Sequence, residues 1–431
     1  MKKQLWIGLS MMLLAALVLG ACGTPATEAP APVEPQPAAT EAPVATEPPA
    51  PEPMTIMLWH QEGEAENAAQ YVQALADAYT ALHPEITFEV TNKNTELLRE
   101  DFQTAALAGA PPDLLWTVSD HAGPFTLAEI IIPVDEMFDF SLFAESATAA
   151  VQLGGKTWGV PISNGNQLML YYNKDLIAEP PADTEALIAA AADLKAAGIT
   201  PLVYNQTEPF WAAPWLGGFG GKVFAEDGVT PTLNTPEMVS TLAWLLQLKT
   251  DGIVPPESDY DGADTLFKEG KAAMIINGDW TLGAYKDAFG DKLGVTRIPM
   301  VASTGMWPAP FTSGKFFMIP AGLDDAKVAV VTDFINFATS NENQLDMVAK
   351  LSRLPALKTA LSDPAITGDP FLAGSADQMV VGTPMPTVPE LRCVWDSWKP
   401  EMQAVLAGSK SPEDGAAAAQ AAAEACVLTL Q

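Results

Sequence analysis

An α/β body with two lobes is the fold class this sequence predicts, and three observations predict it. Residues 54–118 alternate strand and helix signals in the order β-α-β-α-β, which implies a parallel sheet with helices on its faces. Later stretches repeat the strand and helix theme with new partners. The chain from residue 54 to 431 is also long enough for two or three domains, at roughly 100 to 200 residues each.

The first 53 residues stand apart from that body. Lys2 and Lys3 precede an apolar run from Leu5 to Leu19, the pattern of a secretion signal over residues 1–21. The run is shorter than the roughly 20 residues a membrane-spanning helix needs. Leu19-Gly20-Ala21-Cys22 resembles the lipobox of bacterial lipoproteins, a resemblance that implies acylation of Cys22 after signal cleavage. Residues 22–53 are almost wholly Ala, Pro, Thr and Glu, with Thr-Glu-Ala-Pro at 27–30 and again at 40–43. Such a stretch has too little apolar surface to bury a core and, by its prolines, favours an extended conformation, so it reads as a disordered tether. The expected address is the outer face of the cell membrane, the periplasmic side where there are two membranes.

Within the body, MTIMLW (54–59) reads as a strand. An amphipathic helix follows, with Tyr71, Leu75, Ala78, Tyr79 and Leu82 as its apolar positions, and ITFEV (86–90) alternates as a second strand. A helix over 95–107, broken by residues 109–112, leads to a third strand at 113–118. Farther on, 185–197 is an alanine-rich helix closed by Gly198, 202–205 a strand and 236–250 a helix. A short helix at 263–269 precedes the buried strand AAMIIN (272–277). In such sheets ligands bind outside the carboxyl ends of the strands. Trp59, Trp116, Trp211 and Trp280 each stand at or after a predicted strand, which places them on one cleft. Aromatic faces suit the C–H faces of pyranoses, while carboxylates and amides take their hydroxyls, so sugar recognition is the chemistry this pattern favours.

Charge and composition narrow the field. A net charge of −31 repels phosphate backbones and argues against a nucleic-acid partner. Cys393 and Cys426 form an even pair outside the cytoplasm and can bridge. Those two thiols with His60, His83 and His121 show no zinc-site spacing, so no metal or other cofactor is expected.

AALAGAPPDLLW (105–116), GKTWGVPIS (155–163), YYNKDLI (171–177), DYDGADTLFKEGKAAMIINGDW (259–280) and GTPMPTVPEL (382–391) together resemble the solute-binding proteins of bacterial carbohydrate ABC transporters, especially the maltose- and maltodextrin-binding group. The resemblance implies a type II periplasmic-binding-protein-like fold in which each lobe holds a mostly parallel sheet. Residues 54–163 and 313–362 would form the N-terminal lobe, and 164–312 and 363–431 the C-terminal lobe. Crossings would lie near Ser163, Phe311 to Gly314, and Asp363 to Pro364. It implies an oligosaccharide ligand, transporter permease subunits as partners, and a monomer without catalytic residues.

Site residues follow from the same resemblance. Trp116 matches an aromatic position of the N-terminal lobe and Asp120 a hydroxyl-binding acid, with His121 where maltose binders carry arginine. Glu208, Pro209 and Phe210 match an acid-proline-aromatic run beside Trp211; Trp280 and Trp395 match two further aromatics. Glu62 or Glu64 retains an acid near the first strand, although His60 to Glu64 departs from the family's pattern. Asp396 replaces a tyrosine and Lys399 an arginine, so a glucan and another neutral oligosaccharide both fit. Asp113 and Lys174 belong to stretches shared regardless of ligand, which implies turn and helix-capping roles. Two competing readings are an anchored glycoside hydrolase with paired carboxylates, and a binder of a cationic solute such as a polyamine.

Overall fold

The computed structural model describes residues 52–63 and 67–430. The leader, Cys22, all but the end of the tether, and Glu64 lie outside the described residues. Among the described residues no helix is long and apolar enough to cross a membrane.

Two sheets form the centres of two lobes. The first orders its strands Ile86–Asn92, Met54–His60, Leu114–Val118, Lys315–Met318 and Val160–Pro161. Its first three strands are parallel, as the β-α-β-α-β order requires, with Leu58 opposite both Val90 and Leu114. Lys315–Met318 then runs antiparallel to both of its neighbours. The second sheet orders Leu293–Thr296, Leu168–Asn173, Ala272–Gly278 and Thr200–Val203, and only its last pair is parallel. Both sheets are therefore mixed rather than mostly parallel. The cause is the chain's crossing between lobes: a strand entering from a crossing starts at the cleft edge, where βαβ strands end. Thus Leu168 pairs with Gly278, and Lys315 with Val118.

Helices cover these sheets with the faces their spacing dictates. Helix Ala68–Leu82 buries Ala68, Tyr71, Val72, Leu75, Ala76 and Tyr79, a three-and-four repeat. Ala78 and Leu82 lie off that stripe and face solvent, Leu82 at 65% exposure. Helix Thr95–Leu107 starts where the Asn94 side chain accepts the Glu96 backbone N–H at 3.1 Å. Asp259 caps Tyr260–Lys268 in the same way, through Gly262.

Asp113 and Lys174 do sit in a bend and a turn, before strand Leu114–Val118 and after strand Leu168–Asn173, but they cap no α-helix. Asp113 accepts from the Met57 N–H at 2.9 Å and from Lys327 Nζ at 2.8 Å, tying two interior strands of the first sheet to helix Asp325–Ala338. Lys174 donates to the Asp291 carbonyl at 3.1 Å.

Two crossing segments pair with one another through Gly165 and Ser313, whose backbones exchange hydrogen bonds of 3.1 and 2.7 Å. A side chain at Gly314 would put its Cβ 2.0 Å from the Ser163 carbonyl oxygen, so only glycine admits this approach. Helices Glu390–Leu406 and Pro412–Val427 close the second lobe, joined by a disulfide between Cys393 and Cys426.

Candidate ligand-binding cleft

The strand ends converge on a cleft of about 890 Å³ between the lobes. One wall follows the N-terminal lobe's strands, with Gln61 and Glu62 after Met54–His60, Asn92 to Glu96 after Ile86–Asn92, and Asp120 after Leu114–Val118. The other wall carries Asn205 to Trp211 after Thr200–Val203, and Trp280 after Ala272–Gly278. Helix Glu390–Leu406 adds Arg392, Trp395, Asp396 and Lys399, one turn apart on one face.

Aromatic rings form a connected surface on the second wall. Trp211 meets Phe210 at 5.5 Å between centroids, Trp280 at 6.2 Å and Tyr260 at 6.0 Å, all edge to face. Their polar handles are fixed as well, since Trp280 Nε1 donates to the Tyr260 hydroxyl at 2.9 Å and Trp211 Nε1 to the Ile276 carbonyl at 3.2 Å. Trp211 is nearly buried, whereas Phe210 and Trp280 keep part of their surface open to the cleft. Trp395 stacks on Trp398 at 6.2 Å, and Trp398 lies fully inside.

Of the residues expected to bind, Glu62, Asp120, Glu208, Phe210, Trp211, Trp280 and Trp395 line this cleft. Trp116 and His121 do not. Trp116 falls inside its strand rather than beyond it, is 1% exposed, and packs edge-on against Phe317 at 5.1 Å. Its indole N–H donates to Glu62 Oε1 at 2.6 Å, so it supports the cleft from behind. His121 points inward to Thr117 Oγ1 at 2.8 Å and to Phe125, and burial lowers its pKa well below the usual value. Trp59 also leaves the wall, its ring lying under Lys93 Nζ at 4.3 Å.

Electrostatics divide the acids by role. Glu62 is 3% exposed and accepts from Arg353 at 2.7 Å. Burial alone would raise its pKa, but Arg353 and Lys315 hold it down to about 2. Asp120 is pushed up to about 6 by burial and by Glu96, against its own backbone, Arg392 and Trp395. Burial likewise raises Asp279 to about 6, and its Oδ2 accepts from the Asn166 N–H at 3.1 Å. Glu208 pairs with Lys399 at 2.5 Å. Arg392 joins the lobes across the cleft, holding Glu96 at 2.5 Å while also pairing with Asp396 on its own helix.

Lys315 and Arg353 were the main residues missed by reading the sequence. Lys315 has a visible signal, a lone charge heading the apolar run KFFMI. Arg353 has none, because its partner lies 291 positions away.

The chain belongs to the bacterial extracellular solute-binding protein family, whose sequence model matches residues 74–374. Its relatives are binding proteins of transporters and not enzymes, and this chain is a solute-binding protein. It is 26% identical to the maltotriose-binding protein of Pyrococcus abyssi (strain GE5 / Orsay), over 82% of this chain and 78% of that one. It is 25% identical to the maltooligosaccharide ABC transporter solute-binding lipoprotein of Streptococcus pneumoniae (strain ATCC BAA-255 / R6), over 95% and 93%. Among solved structures, the maltose/maltodextrin-binding domain MalE from Bdellovibrio bacteriovorus bound to maltotriose superposes with a TM-score of 0.83 at 37% identity, covering 87% of this chain and all of that one.

Proposed function

We propose that this chain is the extracytoplasmic receptor of an ABC importer for maltose and maltodextrins. It acts as a lipid-anchored monomer and passes its sugar to the membrane permease pair. The observation that carries the reading is the aromatic surface of Phe210, Trp211 and Trp280 facing carboxylates and amides across a cleft of about 890 Å³, a volume near the top of the range for small-molecule sites. The ring faces take the apolar sides of glucose units; Asp120, Glu208 and Asn205 take their hydroxyls. A ligand that touches both walls binds the closed lobes better than the open ones, so it shifts the population toward closure. Names of the relatives, maltotriose- and maltooligosaccharide-binding, support the choice of an α-glucan.

Calorimetric titration tests the reading with maltose, maltotriose and longer maltodextrins beside xylo-, cello- and manno-oligosaccharides and spermidine. The expected result is saturable binding of an α-glucan that is recovered unchanged after prolonged incubation. Binding confined to another glycan reassigns the substrate, and a response to spermidine alone overturns the carbohydrate reading. Trp280→Ala is expected to weaken maltotriose binding by about 2 kcal/mol, roughly 30-fold, through loss of the stacking face and its buried area. Equal affinity in the two proteins would remove Trp280 from the site.

The anchor has its own test. Cys22→Ser, in cells fed a radiolabelled fatty acid, is expected to carry no label and to leave the membrane fraction. A labelled serine variant would show that the lipid sits elsewhere.

A further inference from the structure

From the floor of the cleft we infer that Lys315 reads the ligand, its ammonium donating to sugar hydroxyl oxygens while Asp120 accepts from the hydroxyl beside them. This inference rests on the proposed oligosaccharide function and assigns one of its specificity-determining residues.

The backbone of Lys315 is held where the chain re-enters the first sheet. Its N–H donates to Ser163 Oγ at 3.1 Å, and its carbonyl accepts from the Ile162 N–H at 2.7 Å. Lys315 therefore sits at the cleft end of its strand, across from Val118, with its direction set by both neighbours. The residue is only 7% exposed, yet it lines the cleft.

A lysine ammonium carries three donors, and burying it without partners is costly. Among the described residues Nζ has no hydrogen-bond partner and no carboxylate within 4 Å; its close neighbour is the Trp280 ring, 5.3 Å away on the opposite lobe. Burial lowers its pKa and Arg353 adds to that, while the nearby acids Glu62, Asp279 and Asp120 favour its charge. Two of those acids are already engaged, Glu62 by Arg353 and Trp116, and Asp279 by the Asn166 N–H. What remains for the ammonium is whatever enters the cleft.

Asp120 supplies the complementary observation. Its Oδ1 is buried and has no hydrogen-bond partner among the described residues. An unused acceptor and unused donors on one cleft match the chemistry of neighbouring sugar hydroxyls, each of which both donates and accepts. A group that neither donates nor accepts at that place would leave both side chains unsatisfied, which is how polar sites reject analogues lacking a hydroxyl.

The test uses the full chain with maltotriose and its monodeoxy analogues as probes. Lys315→Met, which keeps the stem and removes the charge and donors, is expected to weaken maltotriose binding at least 10-fold in a protein that still unfolds in a single cooperative transition. One monodeoxy analogue that binds the wild type weakly should bind Lys315→Met no worse than maltotriose does, because the lost contact is the same one. Should Lys315→Met fail to fold, the wild type answers instead: reductive methylation read by mass spectrometry is expected to modify Lys315 in the free protein and spare it under saturating maltotriose. Wild-type binding with an unchanged Lys315→Met affinity, or equal labelling with and without sugar, overturns the assignment and leaves the transport reading standing. A wild type that binds no oligosaccharide overturns both.

Discussion

Glu62→Gln will lower the unfolding free energy by about 3 to 5 kcal/mol, the loss expected when a buried ion pair is broken by removing one partner. The side chains of Arg353 and Glu62 are each 2% exposed, and their 2.7 Å bond ties residues 291 positions apart. The variant takes away the carboxylate that neutralises Arg353 and weakens the acceptor for Trp116 Nε1. Denaturant unfolding of the two proteins at pH 7 measures the difference, and a gap under about 1 kcal/mol would make the pair dispensable.

The pH dependence of that gap has a definite sign. Glu62 is held at about 2, below its ordinary 4.5. A lowered carboxyl contributes stability above the unfolded value and loses it as pH falls through the folded one. The wild type's advantage over Glu62→Gln should therefore be full at pH 5 and close between about 4.5 and 2. Asp120 and Asp279 have the opposite sign, both being raised to about 6. Their protonation on going from pH 7 to about 4 adds stability, while His60 and His121, lowered by burial, subtract it as pH falls below their ordinary 6.5. The expected result is therefore that the wild type gains stability relative to an Asp120→Asn, Asp279→Asn variant as pH falls from 7 to 5. Both trends are read from unfolding curves at successive pH values.

Much of the architecture was legible in the sequence because it rests on local periodicity. The helix at 95–107 and the strand at 272–278 follow from spacing, capping and apolar runs, and the placement of Trp280 follows from the strand that precedes it. Trp116 shows the limit of that reasoning. A tryptophan two residues before a strand end faces the sheet's interior, and one two residues after it faces the cleft; sequence gives strand ends too loosely to separate the cases. The antiparallel strands were hidden for another reason. Lys315–Met318 joins a sheet whose other members lie about 150 or more positions earlier, and its direction follows from where the chain crosses between lobes. The same long separation concealed Arg353 beside Glu62. Sequence spacing gives no measure of which distant charges become neighbours.

Replacing Cys393 and Cys426 together by serine is the second large effect, an expected loss of about 3.5 kcal/mol for a bridge spanning 33 residues. The reason lies in the helices it joins. Pro412–Val427 contributes Ala416, Ala419 and Ala423 to the core, small side chains that bury little apolar area apiece. Close approach compensates in part, since Gly415 lets Val405 come so near that a Cβ there would sit 2.6 Å from it. The bridge restrains the same pair of helices in the unfolded chain. Cys393 also adjoins Arg392 on the helix that carries Trp395 and Lys399 to the cleft. That helix keeps its own anchors, with Trp398, Met402 and Val405 all buried. The double serine variant should therefore lose stability while its maltotriose affinity changes by less than about threefold. Denaturant unfolding and calorimetry on the same preparations separate the two effects. Wild-type stability in the variant would show that the small-residue packing suffices, and a large affinity loss would show that the bridge positions the cleft wall directly.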